Sequence, residues 1–371
     1  MSLFKIDRRN FLLWFLGALG GTTWSNRSVA SDRAVFLKDY AARNNLLYGA
    51  ATRYSVLKRD EEFARRFVKE CAVLVTENDF KWSRLRPTPQ SFDFTKADWL
   101  VNFSEVHDLK LRGHTLVWYK ALPDWFAAEV DRTNAANYLV NHITTLVKRY
   151  AGKIHSWDVV NEAIEPKDGR DDGLRISPWL EYLGEEYIEI AFKTAAAADS
   201  NALLTYNDYD LAYDTPEQEA RRTATLKLLE RLKAKNVPVQ ALGMQAHLYA
   251  GSDRFNRAKL QRFMQNVADL GLKIIVSELD VVDRSLEAAT IFRDLAVAKI
   301  YHEYLEIALT QPAVIGVITW GLSDRYTWLK KFRPRSDGAN VRPLPLDSNL
   351  EPKLAWEALA NAFKYSRIGL D

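Results

Sequence analysis

A chain of 371 residues, 47% hydrophobic and 27% charged, has the material for a large core; as one unit this length suits an α/β barrel, which runs to about 250 residues or more. Its 51 basic residues nearly balance 48 acidic ones, for a formal net charge of +3, and no basic stripe interleaved with aromatics appears, which argues against a nucleic-acid partner. The lone cysteine, Cys71, excludes an intrachain disulfide, and the six histidines show no close-paired ligand spacing, so neither a metal nor another cofactor is expected.

In chain order, residues 1–30 come first and read as a segment outside the fold. Arg8-Arg9 precedes the apolar run Phe11-Leu12-Leu13-Trp14-Phe15-Leu16, and Ser28-Val29-Ala30 offers a small-x-small cleavage site. These are the parts of an export signal. The string Asp7-Arg8-Arg9-Asn10-Phe11-Leu12 resembles the twin-arginine consensus, which exports folded proteins. The run is shorter than the roughly twenty residues of a membrane span, so no stable membrane anchor is expected. The protein is expected outside the cytoplasm, periplasmic or secreted, and monomeric.

Residues 31–371 read as a single barrel domain. Apolar runs at 46–52, 72–78, 111–118, 154–162, 202–208, 241–248, 273–280 and 314–321 alternate with amphipathic stretches at 61–70, 95–109, 134–150, 217–235, 259–270, 288–309 and 352–363. Such alternation predicts a parallel sheet with covering helices. A count of eight predicts closure into a (β/α)8 TIM barrel. An open doubly wound sheet is the other arrangement, weakened because no glycine-rich phosphate loop follows the first run.

Active sites of such barrels lie at the C-terminal ends of the strands, and the polar residues collect there. The second run ends in Glu77-Asn78, with Lys81 just beyond; the third carries His114 and ends at Trp118. The fourth ends in Asn161-Glu162, the fifth in Asn207-Asp208-Tyr209, the sixth carries Gln245 and His247, the seventh ends in Glu278 and the eighth in Trp320. Glu162 and Glu278 both close apolar runs, so each should be partly buried. A single glutamate at a strand end is usually a salt-bridge partner. Two of them facing one mouth are the minimal equipment for glycoside hydrolysis. Eleven Trp and sixteen Tyr supply flat apolar faces with polar edges, suited to sugar rings.

Two segments make this specific. Trp157-Asp158-Val159-Val160-Asn161-Glu162-Ala163 and Val276-Ser277-Glu278-Leu279-Asp280 resemble the acid/base and nucleophile signatures of glycoside hydrolase family 10, the endo-β-1,4-xylanases. Further blocks match in order: Thr76 to Trp82, Gly113 to Trp118, Tyr206 to Tyr209 and Thr319 to Asp324, so the resemblance spans about residues 46 to 365. It implies a xylan or xylo-oligosaccharide substrate and double displacement with retention. Glu278 is then the nucleophile and Glu162 the acid/base, with carboxyls about 5–5.5 Å apart. It also implies that Asn161 holds the sugar 2-hydroxyl and that His247 orients Glu278, with Gln245 close by. Glu77, Asn78, Lys81 and His114 bind hydroxyls on the non-reducing side; Trp118, Trp320 and Trp328 wall the cleft; Asn207 and Tyr209 complete the binding set. On the residues alone, Lys81 could instead neutralise Glu77, His247 could be a core histidine, and Trp320 and Trp328 could be core aromatics. The chain departs from the family at Tyr119-Lys120-Ala121, where the family usually has His, a variable residue and Gln.

Overall fold

The computed structural model describes residues 35–251 and 254–366, so the export signal expected over residues 1–30 lies outside the described residues. Nine parallel strands fill eight barrel positions: β1 (Leu47–Ala51), β2 (Val73–Val75), β3 (Lys110–Val117), β4 (Ile154–Asn161), β5 (Leu203–Asp208), β6 (Ala241–Met244), β7 (His247–Tyr249), β8 (Lys273–Val282) and β9 (Val314–Thr319). The pairing of β1 with β9 and of β6 with β8 closes the ring, which excludes the open sheet.

Strand residues alternate between two cores, as the two-residue side-chain period requires. Tyr48, Ala50, Leu74, Ile274, Val276 and Val317 pack against the surrounding helices. Ala51, Val73, Val75, Ile275 and Ile318 form a separate apolar cluster inside the barrel. The interior between β3, β4 and β5 is polar instead. Arg112, 1% exposed, donates to Ser156 Oγ at 2.9 Å, to Thr205 Oγ1 at 3.3 Å and to Asp158. A buried guanidinium is tolerable only when so paired.

The helices start where local chemistry dictates. Asp60 caps Glu61–Glu70 by accepting from Phe63 N at 2.9 Å, and Phe63 and Phe67 bury one face four residues apart. Thr215 caps Pro216–Ala234, with Pro216 at the first turn, where its missing N–H costs no bond. Between the fourth and fifth strands the periodicity reading names no helix; the structure places Glu186–Ala198 there, burying Tyr187, Ile188, Ala191, Phe192 and Ala195. Cys71 is fully buried, and burial pushes its thiol well above the usual range, as expected of an inert core residue. His142 is also core: it stacks 3.8 Å from Trp82, and burial holds its imidazole well below its ordinary pKa.

Two strand boundaries differ from expectation, and both matter for the site. The second strand stops at Val75 rather than Asn78 because Glu77 turns into positive φ (23°), which places Glu77 and Asn78 in a loop. The sixth run, expected to be continuous, breaks after Met244: Ala246 sits at φ 61°, β6 pairs with β5 and β8, and β7 pairs with β8 alone.

Candidate active site

Backbone bonds set the reacting tier. Asn161 on β4 lies in register with Asn207 on β5, and Glu162 N–H continues that ladder by donating to Asn207 O at 2.8 Å. Gln245 N–H donates to Asp208 O and Glu278 N–H to Gln245 O, each at 2.9 Å. Four neighbouring segments thus bring Glu162, Asn207, Gln245 and Glu278 to one level of the mouth. Both glutamates are buried, at 9% and 5% exposure, more deeply than the partial burial expected at the ends of apolar runs.

Three amides link them. Asn207 spends both Nδ2 protons, one on Asn161 Oδ1 and one on Glu278 Oε1, each at 2.8 Å, while its Oδ1 accepts from Ser277 Oγ at 2.6 Å. Gln245 Nε2 donates to Glu162 Oε1 at 3.2 Å and Asn161 Oδ1 at 3.3 Å, and Asn161 Nδ2 also reaches Glu162 Oε1 at 3.2 Å. Gly243 makes room for this relay, since a Cβ there would stand 2.1 Å from Asn207 Oδ1.

The two carboxyls differ in surroundings. Glu278 Oε2 faces His247 Nε2 at 3.3 Å, and His247 Nδ1 faces Asp280 Oδ1 at 2.9 Å. A ring with a carboxylate oxygen opposite each nitrogen needs two donors, which only imidazolium provides. Burial opposes that charge, yet Asp280 and Glu278 raise the His247 pKa to about 10. Burial likewise pushes the Glu278 carboxyl up, but the His247 bond, the charges of His114 and His247 and the Asn207 amide outweigh it and hold it below its usual value. The break after β6 makes this geometry possible, because β7 brings His247 opposite Asp280 in the β8 register. Trp328 Nε1 donates to Asp280 Oδ2 at 2.7 Å and completes that arm.

On the other side of the mouth, Arg53 Nη1 lies 3.5 Å from Glu77 Oε1, which also accepts from Asn78 Nδ2 at 3.0 Å, and Lys81 Nζ donates to Asn78 Oδ1 at 3.0 Å. Arg53, rather than Lys81, therefore pairs with Glu77 among the described residues. Burial lowers the Lys81 pKa against the pull of Glu278, Glu77 and Glu162, and the ammonium lies 4.8 Å above the Trp118 ring. His114 Nδ1 meets Asp158 Oδ2 at 2.9 Å, so the histidine stands on the polar stack that begins with Arg112. Trp320 packs edge-on to His114 (5.2 Å) and His247 (6.4 Å), and Trp328 lies 5.2 Å from His247. Tyr209 lies beyond β5, its hydroxyl 2.7 Å from Arg175 Nη2 and 2.9 Å from Glu165 Oε2.

All fourteen residues singled out in the sequence thus gather at the mouth or on its rim. Asp158, Ser277 and Asp280 stand inside the two signature segments without a role assigned from sequence, and Arg112 and Arg175 stand outside them. Asp280 shares a strand face with Glu278, and Arg112 is a charge within an apolar run two residues from His114, so both carried a signal. Arg175 lies in a loop and carried none.

A closed parallel barrel with two buried glutamates joined by amides at its mouth, one held as an anion by a histidinium, is the framework of a glycoside-cleaving enzyme. Residues 36–362 match Glycosyl hydrolase family 10, and the chain belongs to that family. It is 37% identical over 296 residues to a beta-1,4-xylanase of Dictyoglomus thermophilum, covering 76% of this chain and 80% of that protein. An endo-1,4-beta-xylanase 2 of Claviceps purpurea is 31% identical over 343 residues, covering 92% and 95%. The crystal structure of xylanase 10B from Thermotoga petrophila with xylobiose superposes with a TM-score of 0.81 at 31% identity, covering 90% of this chain and 98% of that one.

Proposed function

We propose that this protein is an endo-1,4-β-xylanase that cleaves xylan with retention, Glu278 attacking the anomeric carbon and Glu162 serving as acid and then base. The observation that carries the reading is the asymmetric pair. Glu278 accepts from Asn207 and from a histidinium and so stands ready as an anion. Glu162 Oε1 accepts from Gln245 and Asn161, which leaves Oε2 for the glycosidic oxygen. In the first step the Glu278–C1 bond forms as the C1–O bond breaks, and the Glu162 proton goes to the departing oxygen. In the second, Glu162 takes a proton from water as that water displaces Glu278. Family membership and the xylanases among its relatives support the substrate class. Purified protein given xylan should release short β-configured xylo-oligosaccharides and yield little reducing sugar from carboxymethylcellulose. Release of single sugars from chain ends, or a preference for the glucan, overturns the reading.

Sugars on the non-reducing side meet Glu77, Asn78, Lys81 and His114 in this scheme, between Trp118, Trp320 and Trp328. The Tyr119-Lys120-Ala121 segment borders them: Ala121 O accepts from Ser83 N at 2.9 Å, which ties it to the loop bearing Lys81. Ala121 cannot make the hydrogen bonds of the family's glutamine, and a neutral bond is worth about 0.5–1.5 kcal/mol. Ala121→Gln should therefore lower KM for linear xylo-oligosaccharides roughly 2- to 10-fold with little change in kcat. Unchanged or weaker binding would show that nothing is missing here.

The same proposal places the enzyme outside the cytoplasm, sent through the twin-arginine route by residues 1–30. Changing Arg8 and Arg9 together to lysine should leave uncleaved precursor in the cytoplasm, detected by immunoblot of fractions. Export of that variant at the normal level means another route operates.

A further inference from the structure

We infer that Arg175 is the positioning residue of the acid/base: its guanidinium holds the backbone carbonyl of Glu162, and through it the carboxyl, in the arrangement that transfers the proton. This rests on Glu162 being the acid/base. Glu162 adopts φ 57°, a left-handed conformation unfavourable to any residue with a Cβ. Its N–H remains in the β4–β5 ladder, but the turn carries its carbonyl out of the sheet, where a buried acceptor needs a new donor. Arg175 Nε supplies it at 2.8 Å.

The arginine is itself fixed. Its N–H donates to Ala163 O at 2.7 Å, and Nη2 reaches Tyr209 Oη at 2.7 Å and both Ile164 O and Glu165 Oε2 at 3.3 Å. Tyr119 lies under the guanidinium, 4.2 Å from Cζ to ring centre. Arg221, from the Pro216–Ala234 helix, shares Ile164 O, Glu165 Oε2 and Tyr209 Oη. Every carbonyl from Glu162 to Ile164 is therefore held by Arg175 alone or by Arg175 with Arg221. Arg175 is only 9% exposed and acts on the reaction through Glu162. A cavity of about 10 Å³, room for about one water, lies beside them, lined by Trp118, Tyr119, Glu162 and Arg175; removing the guanidinium would enlarge it.

The test compares Arg175→Met, which keeps an unbranched stem, with Arg175→Lys, which keeps one charged donor. kcat/KM is measured on aryl β-xylobiosides of graded leaving-group quality, a quantity that reports the bond-breaking step. Arg175→Met should lose roughly 100-fold on the phenyl glycoside, the cost of misplacing a reacting group by an ångström. On the dinitrophenyl glycoside, whose leaving group needs no proton, the loss should be about 2-fold. Arg175→Lys should recover about tenfold of the loss on the phenyl substrate. A role confined to stability moves all substrates alike, so equal losses across the series, or none, overturn the proposal. If circular dichroism shows that the methionine variant does not fold, the lysine variant on the same series decides: a steeper leaving-group dependence than wild type supports the proposal, and an unchanged one overturns it. Glu162→Ala runs in parallel. A leaving-group dependence there but not at Arg175 defeats only this inference, whereas its absence in both defeats the acid/base reading beneath it.

Discussion

Glu278→Gln should cost roughly 10⁴-fold or more in turnover on xylan, the scale on which loss of a covalent nucleophile is felt. The amide has nearly the same shape and still contacts sugar, so xylo-oligosaccharide should still bind, measurable by calorimetry. The exchange also creates a local conflict. Both Glu278 oxygens accept, from Asn207 and from His247, whereas a glutamine has only one acceptor and must turn its NH2 towards another donor. Leaving a buried donor unmatched costs about 1–3 kcal/mol, so the variant should also unfold at lower temperature. In the wild type the stability contributed by the His247–Glu278 pairing is fully present below the ordinary imidazole pKa of about 6.5. It is lost only as the pH climbs through about 10, because the folded pKa is raised. No step from His247 should therefore appear in the neutral part of the pH–rate profile. A slow fluorinated xylobioside with a good leaving group should label the peptide containing Glu278; a covalent label on another residue removes the assignment.

Glu162→Ala should reduce kcat/KM about 10²- to 10⁴-fold for poor leaving groups, the usual worth of a general acid, and far less for activated aryl glycosides. Deglycosylation also loses its base, so activated substrates should build up the glycosyl-enzyme and show a burst. Azide fits where the carboxyl was and needs no deprotonation. It should restore turnover and yield a β-glycosyl azide, identified by NMR. An α-azide would mean inversion, and equal losses for both substrate types would mean that Glu162 donates no proton.

The barrel was legible because its strands are buried on both faces and read as mainly apolar runs, most of which end in polar residues. Glu162 and Glu278 stand among those end residues, so one pattern pointed to both. The break inside the sixth run escaped because Gln245-Ala246 offers no glycine or proline; an alanine takes the left-handed turn instead. The helix Glu186–Ala198 escaped although Ile188, Ala191, Phe192 and Ala195 keep helical spacing, since its alanine-rich second half dilutes the contrast between faces. The bonding partners were the least readable part. Asp158 beneath His114 and Arg175 behind Glu162 are set by which chain segments meet in space, and spacing along the chain carries little of that information.

The discontinuity between β6 and β7 bears on how such an enzyme can be altered. His247 reaches Glu278 through strand register, opposite Asp280, whereas Glu77, Asn78 and Lys81 sit in a loop beyond β2. The loop bearing Glu77, Asn78 and Lys81 and the strand register that sets His247 are thus separable parts of the chain. That loop can be exchanged with a relative's without altering the β7–β8 register that holds His247 opposite Asp280. A single residue inserted between Met244 and His247 should do the reverse, turning the imidazole out of phase with both of its carboxylates while the Glu77–Lys81 loop stays in place.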